Sequence, residues 1–134
     1  MDAQSAAVGP DGRIYVFGGT NTSGNNNYLT AVYAYDIAAN SWSTVAPLPV
    51  GMNSGAAATG PDGRLYVVGG STAAGQSAAV WAYSAGDDAW YPAASLPVTL
   101  MRAAAVAGQD GKLYVIGGVN GSTYRATVYT LQVK

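Results

Sequence analysis

The chain repeats one phrase three times. GPDGRIYVFGG occupies residues 9–19, GPDGRLYVVGG residues 60–70 and GQDGKLYVIGG residues 108–118. Gly12, Gly63 and Gly111 are spaced by 51 and then 48, and Tyr15, Tyr66 and Tyr114 keep those intervals. Tyr35 and Tyr83 are 48 apart, as are Trp42 and Trp90, and the Leu-Pro-Val at residues 48–50 returns at 96–98. A period near 50 marks a repeat architecture, in which each unit buries its apolar faces against its neighbours. The units divide the chain into residues 1–50, 51–98 and 99–134.

Every piece of the unit reads as β. Asp11-Gly12, Asp62-Gly63 and Asp110-Gly111 lie between apolar runs as tight hairpin turns, because glycine supplies a positive φ without steric cost. The runs Ile14–Phe17, Leu65–Val68 and Leu113–Ile116 are apolar on both faces, as expected of strands covered on both sides. Ala31–Tyr35 and Ala79–Tyr83 behave likewise. The Ala-rich runs that open each unit suit strands crowded around a central axis. No segment carries a sustained helical period. Four strands per unit, at about 3–8, 13–19, 30–36 and 41–46 in the first and 52–59, 64–70, 78–84 and 89–95 in the second, describe a propeller blade. A β-sandwich with a duplicated hairpin is the other arrangement open to this pattern.

Gly-Gly, then Tyr, then Trp seven residues later resembles the kelch repeat. Gly18, Gly19, Tyr35 and Trp42 carry it in the first unit, and Gly69, Gly70, Tyr83 and Trp90 in the second. The third has Gly117 and Gly118, but Leu131 stands in the Tyr position and no Trp strand follows. The resemblance implies an all-β fold of four-stranded antiparallel blades. The third unit supplies strands near 101–107, 112–118 and 126–133, which makes eleven, one short of three blades. Propellers close with about four to eight blades. Two copies would give six nearly complete blades, so a homodimer closing a six-bladed ring is expected, with Ala126–Val133 left as an open edge. The chain begins inside a repeat directly after Met1, which reads as a fragment boundary.

The composition removes several classes of function. Net charge is −1, and Arg13, Arg64, Arg102 and Arg125 are isolated, so no basic footprint for nucleic acid exists. No apolar run approaches the roughly 18 residues of a membrane-spanning helix. Kelch-like enzymes include copper-radical oxidases, a sialic acid epimerase and iron-dependent specifier proteins. Such metals need His, Cys or carboxylate clusters, and general acid–base work prefers His or Glu. This chain has no His, Cys or Glu. The expectation is a non-catalytic module without cofactor or metal. A lectin-like module, or a piece of a kelch-type enzyme whose catalytic residues lie in other blades, are the alternatives.

Strand order puts the loops between second and third strands, and those between blades, on one face of the disc. Variable loops on a rigid scaffold are the usual place for binding. The candidates for a peptide or glycan ligand there are Asn21, Asn25, Asn26, Asn27, Tyr28, Asn120, Tyr124 and Arg125. Arg102, at the start of the third inner strand, is added by the resemblance, since some kelch proteins hold acidic peptides with an Arg at the channel mouth. Asp87-Asp88 reads as a plain turn.

Overall fold

A computed structural model describes residues 3–20 and 28–132. The first blade is β1 (Ser5–Val8), β2 (Ile14–Phe17), β3 (Val32–Asp36) and β4 (Ser41–Val45). The second is β5 (Ala56–Thr59), β6 (Leu65–Val68), β9 (Val80–Ser84) and β10 (Ala89–Ala93), with β7 (Ser71–Thr72) and β8 (Gly75–Gln76) between its middle strands. The third is β11 (Ala104–Ala107), β12 (Lys112–Ile116) and β15 (Val128–Gln132), with β13 (Val119–Asn120) and β14 (Thr123–Tyr124) likewise inserted. Each blade is an antiparallel meander in chain order: β1-β2-β3-β4, β5-β6-β9-β10 and β11-β12-β15. The eleven blade strands stand where the repeat places them.

The blades pack face to face, and alternation along the strands decides which neighbour each residue meets. Between blades 1 and 2 lie Tyr15, Phe17, Val32, Ala34, Leu65, Val67 and Tyr83. Between blades 2 and 3 lie Tyr66, Val68, Val80, Ala82, Leu113, Val115 and Leu131. Both faces of β6 are therefore buried over all four residues. In β2 and β12, equally apolar in sequence, burial alternates, because each lies in a blade with one neighbour.

The inner strands meet around an axis. Ser5 Oγ donates to the Gly55 carbonyl at 2.5 Å and Thr59 Oγ1 to the Val8 carbonyl. Just before these strands Ala3, Ser54 and Arg102 occupy one repeat position in the left-handed region, at φ 57°, 58° and 58°. Their backbones form a run across the blades: Ser54 N–H donates to Ala3 O (2.9 Å), and Arg102 N–H to Ser54 O (2.8 Å). The expectation that Arg102 opens the third inner strand is corrected on this point. That strand begins at Ala104, two residues after the left-handed Arg102. The variable middle loops of blades 2 and 3 are built as two-residue ribbons, β7–β8 and β13–β14.

Candidate functional site

The end of the blades that carries the Asp-Gly turns holds the carboxylates, and the geometry spends them locally. Arg13 donates to Asp11 Oδ2 at 2.8 Å and to the Tyr15 hydroxyl at 2.7 Å, while that hydroxyl donates to Asp11 at 2.7 Å. Asp62, Arg64 and Tyr66 repeat the arrangement, and Tyr114 donates to Asp110 at 2.5 Å in blade 3. Burial alone would raise Asp11 and Asp62. Hydrogen bonds from the tyrosine and the arginine outweigh it and hold both carboxyls below their ordinary value. Burial, reinforced by the carboxylate partner, pushes Tyr15 and Tyr66 up to about 12. These groups act as turn locks: in each turn the carboxylate accepts from the tyrosine hydroxyl, and in the first two from the arginine as well. Among the described residues no group of three His, Cys, Asp or Glu side chains converges on a metal position.

The opposite face carries the ribbons and the inter-blade linkers, where the ligand candidates were placed. Asn21, Asn25, Asn26 and Asn27 lie outside the described residues. Tyr28 is half-buried and bridges to Thr20. Asn120 is consumed by the scaffold: its Nδ2 donates to Thr99 O at 2.9 Å and Thr99 Oγ1 at 3.0 Å. Beside it Gln76 clamps the next ribbon from both sides, donating to Gly121 O (2.9 Å) and accepting from Gly121 N–H (2.7 Å). Gln76 and Thr99 escaped sequence reasoning, because a polar loop residue that binds linker backbone looks like one that binds solvent. Tyr124 is 84% exposed. Arg125, next to it, is half-buried and its Nε is enclosed without a hydrogen-bond partner among the described residues. Arg102 is exposed. Tyr28, Tyr124, Arg125 and Arg102 are thus the described candidates with side chains left for a ligand, Tyr28 and Arg125 half-buried and the other two exposed.

The repeated Gly-Gly, Tyr and Trp residues form the seam between blades. Gly70 N–H donates to Leu100 O, and Gly19 N–H to Met52 O, both at 2.7 Å. A Cβ on Gly69 would collide with that same Leu100 oxygen, and Gly69 sits at φ 67° besides. Glycine is required there on both grounds. Trp90 packs against Tyr83 with the rings tilted at 45° and 5.0 Å apart, meets Phe17 of blade 1 edge-on at 6.0 Å, and donates from Nε1 to Ala46 O at 2.9 Å. Asp88, left-handed at φ 49°, accepts from Ala46 N–H (2.9 Å) and from the Tyr83 hydroxyl (2.7 Å). Both backbone groups of one residue in blade 1 are thereby held by blade 2. Asp88 is a seam residue as well as a turn residue. Tyr35 and Trp42 keep the same pairing at 4.9 Å, yet Trp42 is 60% exposed, with no described blade before it.

Stacked four-stranded meanders, joined by Gly-Gly at the linker crossing and by a Tyr–Trp pair at the outer strand, define propeller blades. The family model described as the KLHDC2/KLHL20/DRC7 Kelch-repeats domain matches residues 1–134, and the chain belongs to the kelch-repeat family. Beta-scruin of Limulus polyphemus is 39% identical over 62 residues, a stretch that is 46% of this chain and 6% of that relative.

Proposed function

We propose that this chain is a non-catalytic half of a propeller that closes with a second copy into a six-bladed ring, and that the ribbon face of the ring binds protein ligands. The observation that carries the closure is the open run of backbone bonds at the axis. Ser54 and Arg102 each donate to the residue one blade back, and Ala3 N–H and Arg102 O are the two ends of this run among the described residues. A two-fold axis down the ring centre would bring blade 3 of each copy against blade 1 of the other and join those ends. The outward faces support the same pairing. Val106, Ile116 and Val128 of blade 3 are 52%, 43% and 53% exposed, whereas their counterparts Ala58, Val68 and Val80 are buried between blades 2 and 3. Apolar faces of this kind are the mark of an interaction surface.

The ribbon face supports binding because its scaffold is fixed by the Gln76, Thr99 and Asn120 bonds while Tyr124 and Arg102 stay accessible. Exposed aromatic and guanidinium groups are enriched at protein interfaces. Light scattering on the purified chain tests the closure. A stable species of twice the chain mass is expected, and a folded monomer at high concentration would overturn it. A glycan array decides the ligand class, since saturable sugar binding lost in Tyr124→Ala would replace the protein ligand by a carbohydrate.

A further inference from the structure

Asn120-Gly121 is the chain's one Asn-Gly dipeptide. This dipeptide is the one most open to deamidation, because glycine has no Cβ to keep its amide nitrogen from the asparagine side-chain carbon. The fold holds both reacting atoms. Gly121 N–H, whose nitrogen is the nucleophile once the proton leaves, donates to Gln76 Oε1 at 2.7 Å. Asn120 Nδ2, the nitrogen that must depart, donates to Thr99 O at 2.9 Å and to Thr99 Oγ1 at 3.0 Å. Thr99 Oγ1 in turn donates to Gln76 Oε1 at 3.5 Å, so one network ties both ends of the reaction. Access of water is not the restraint, since Gly121 is exposed and Asn120 only half-buried. Gly121, at φ 63°, begins the two-residue turn between β13 and β14. One repeat earlier the same positions carry Thr72 and Ala73, which have no such chemistry.

We propose that Asn120 is a latent deamidation site, kept intact by the Gln76–Thr99 clamp and converted when the blade 3 ribbon opens locally. In the open ribbon Gly121 N–H gives its proton to solvent base, and the nitrogen attacks Asn120 Cγ. The new N–Cγ bond forms as Cγ–Nδ2 breaks, and Nδ2 takes a proton from water and leaves as ammonia. Water then adds to either carbonyl of the cyclic imide, which opens to aspartate or isoaspartate. Each product carries a carboxylate where the amide had donated. Its oxygens would meet the Thr99 carbonyl as acceptor against acceptor, and a bond that cannot be remade leaves both groups to solvent. Isoaspartate also adds a methylene to the main chain and breaks the pairing of residue 120 with Thr123. Deamidation is therefore a one-way release of the ribbon that carries Tyr124 from the linker at Thr99. It requires neither ring closure nor a ligand.

The tryptic peptide of residues 113–125 contains Asn120 and no other Asn, so its mass reports this site alone. The full chain is incubated at mildly alkaline pH beside a synthetic peptide of the same residues, and conversion is followed by mass spectrometry. The folded chain should convert at least roughly tenfold more slowly than the peptide, because reaction waits on local opening. Gln76→Ala should speed conversion by the same factor as it speeds hydrogen exchange at the Gly121 amide. Asn120→Asp should speed that exchange as Gln76→Ala does. Circular dichroism checks the fold of each variant, and Thr99→Val, which takes Oγ1 out of the network, replaces Gln76→Ala if that chain unfolds. Equal conversion in chain and peptide would overturn the proposal. So would a clamp variant with faster exchange and unchanged conversion. Unchanged exchange in Asn120→Asp would sink the release of the ribbon.

Discussion

Asp88→Ala removes the acceptor of Ala46 N–H and of the Tyr83 hydroxyl at once. The turn is exposed, so water recovers part of the loss, and a cost of about 1–2 kcal/mol in urea unfolding is expected. Trp90→Phe should cost about as much through the lost bond to Ala46. The same residues set the pH response. Asp11, Asp62, Asp88 and Asp110 are all held below the ordinary carboxylate value of 3.8. Their contribution is complete above that value and is lost as pH falls through the depressed folded values. Tyr15 and Tyr66, raised from 10.0 to about 12, contribute fully below pH 10.0 and lose it as pH rises toward about 12. Melting temperature against pH should form a plateau that falls at both ends, and Asp62→Asn should flatten the acid shoulder.

The strands were legible in the sequence because their signals are local: an Asp-Gly turn, a run apolar on both faces, a Gly-Gly end. The ribbons were not, since two residues define no period. Nor was the left-handed position before each inner strand, which is filled by Ala3, Ser54 and Arg102 and marked by no glycine. Asn120 shows the limit for the site. Its amide suits a ligand as well as a linker, and only the approach of Thr99 decides between them. At this scale the ribbon clamp gives a prediction. Gln76→Ala deletes both bonds to Gly121. Hydrogen exchange at the Gly121 amide should speed by roughly tenfold, while global stability falls by no more than about 1 kcal/mol. A large drop in melting temperature would mean that the ribbon supports the blades rather than resting on them.

The proposed ring closure would make the outward face of blade 3 equivalent to a buried one, and charge separates the two states. Val68 and Ile116 hold the same repeat position, one 2% and the other 43% exposed in the single chain. A carboxylate at Val68 has no water and no partner, and burial of such a charge is prohibitive. Val68→Glu should therefore leave unfolded or aggregated protein. Ile116→Glu is solvated in the single chain and costs little there. In a closed ring it would sit against the Tyr33, Tyr35 and Trp42 face of the second copy, with no cation identified to meet it. The expected result is a β-rich circular dichroism spectrum together with half the wild-type mass in light scattering. Retention of the doubled mass would show that copies join through another surface. Unfolding of Ile116→Glu at every concentration would show that the three blades do not hold together without the ring.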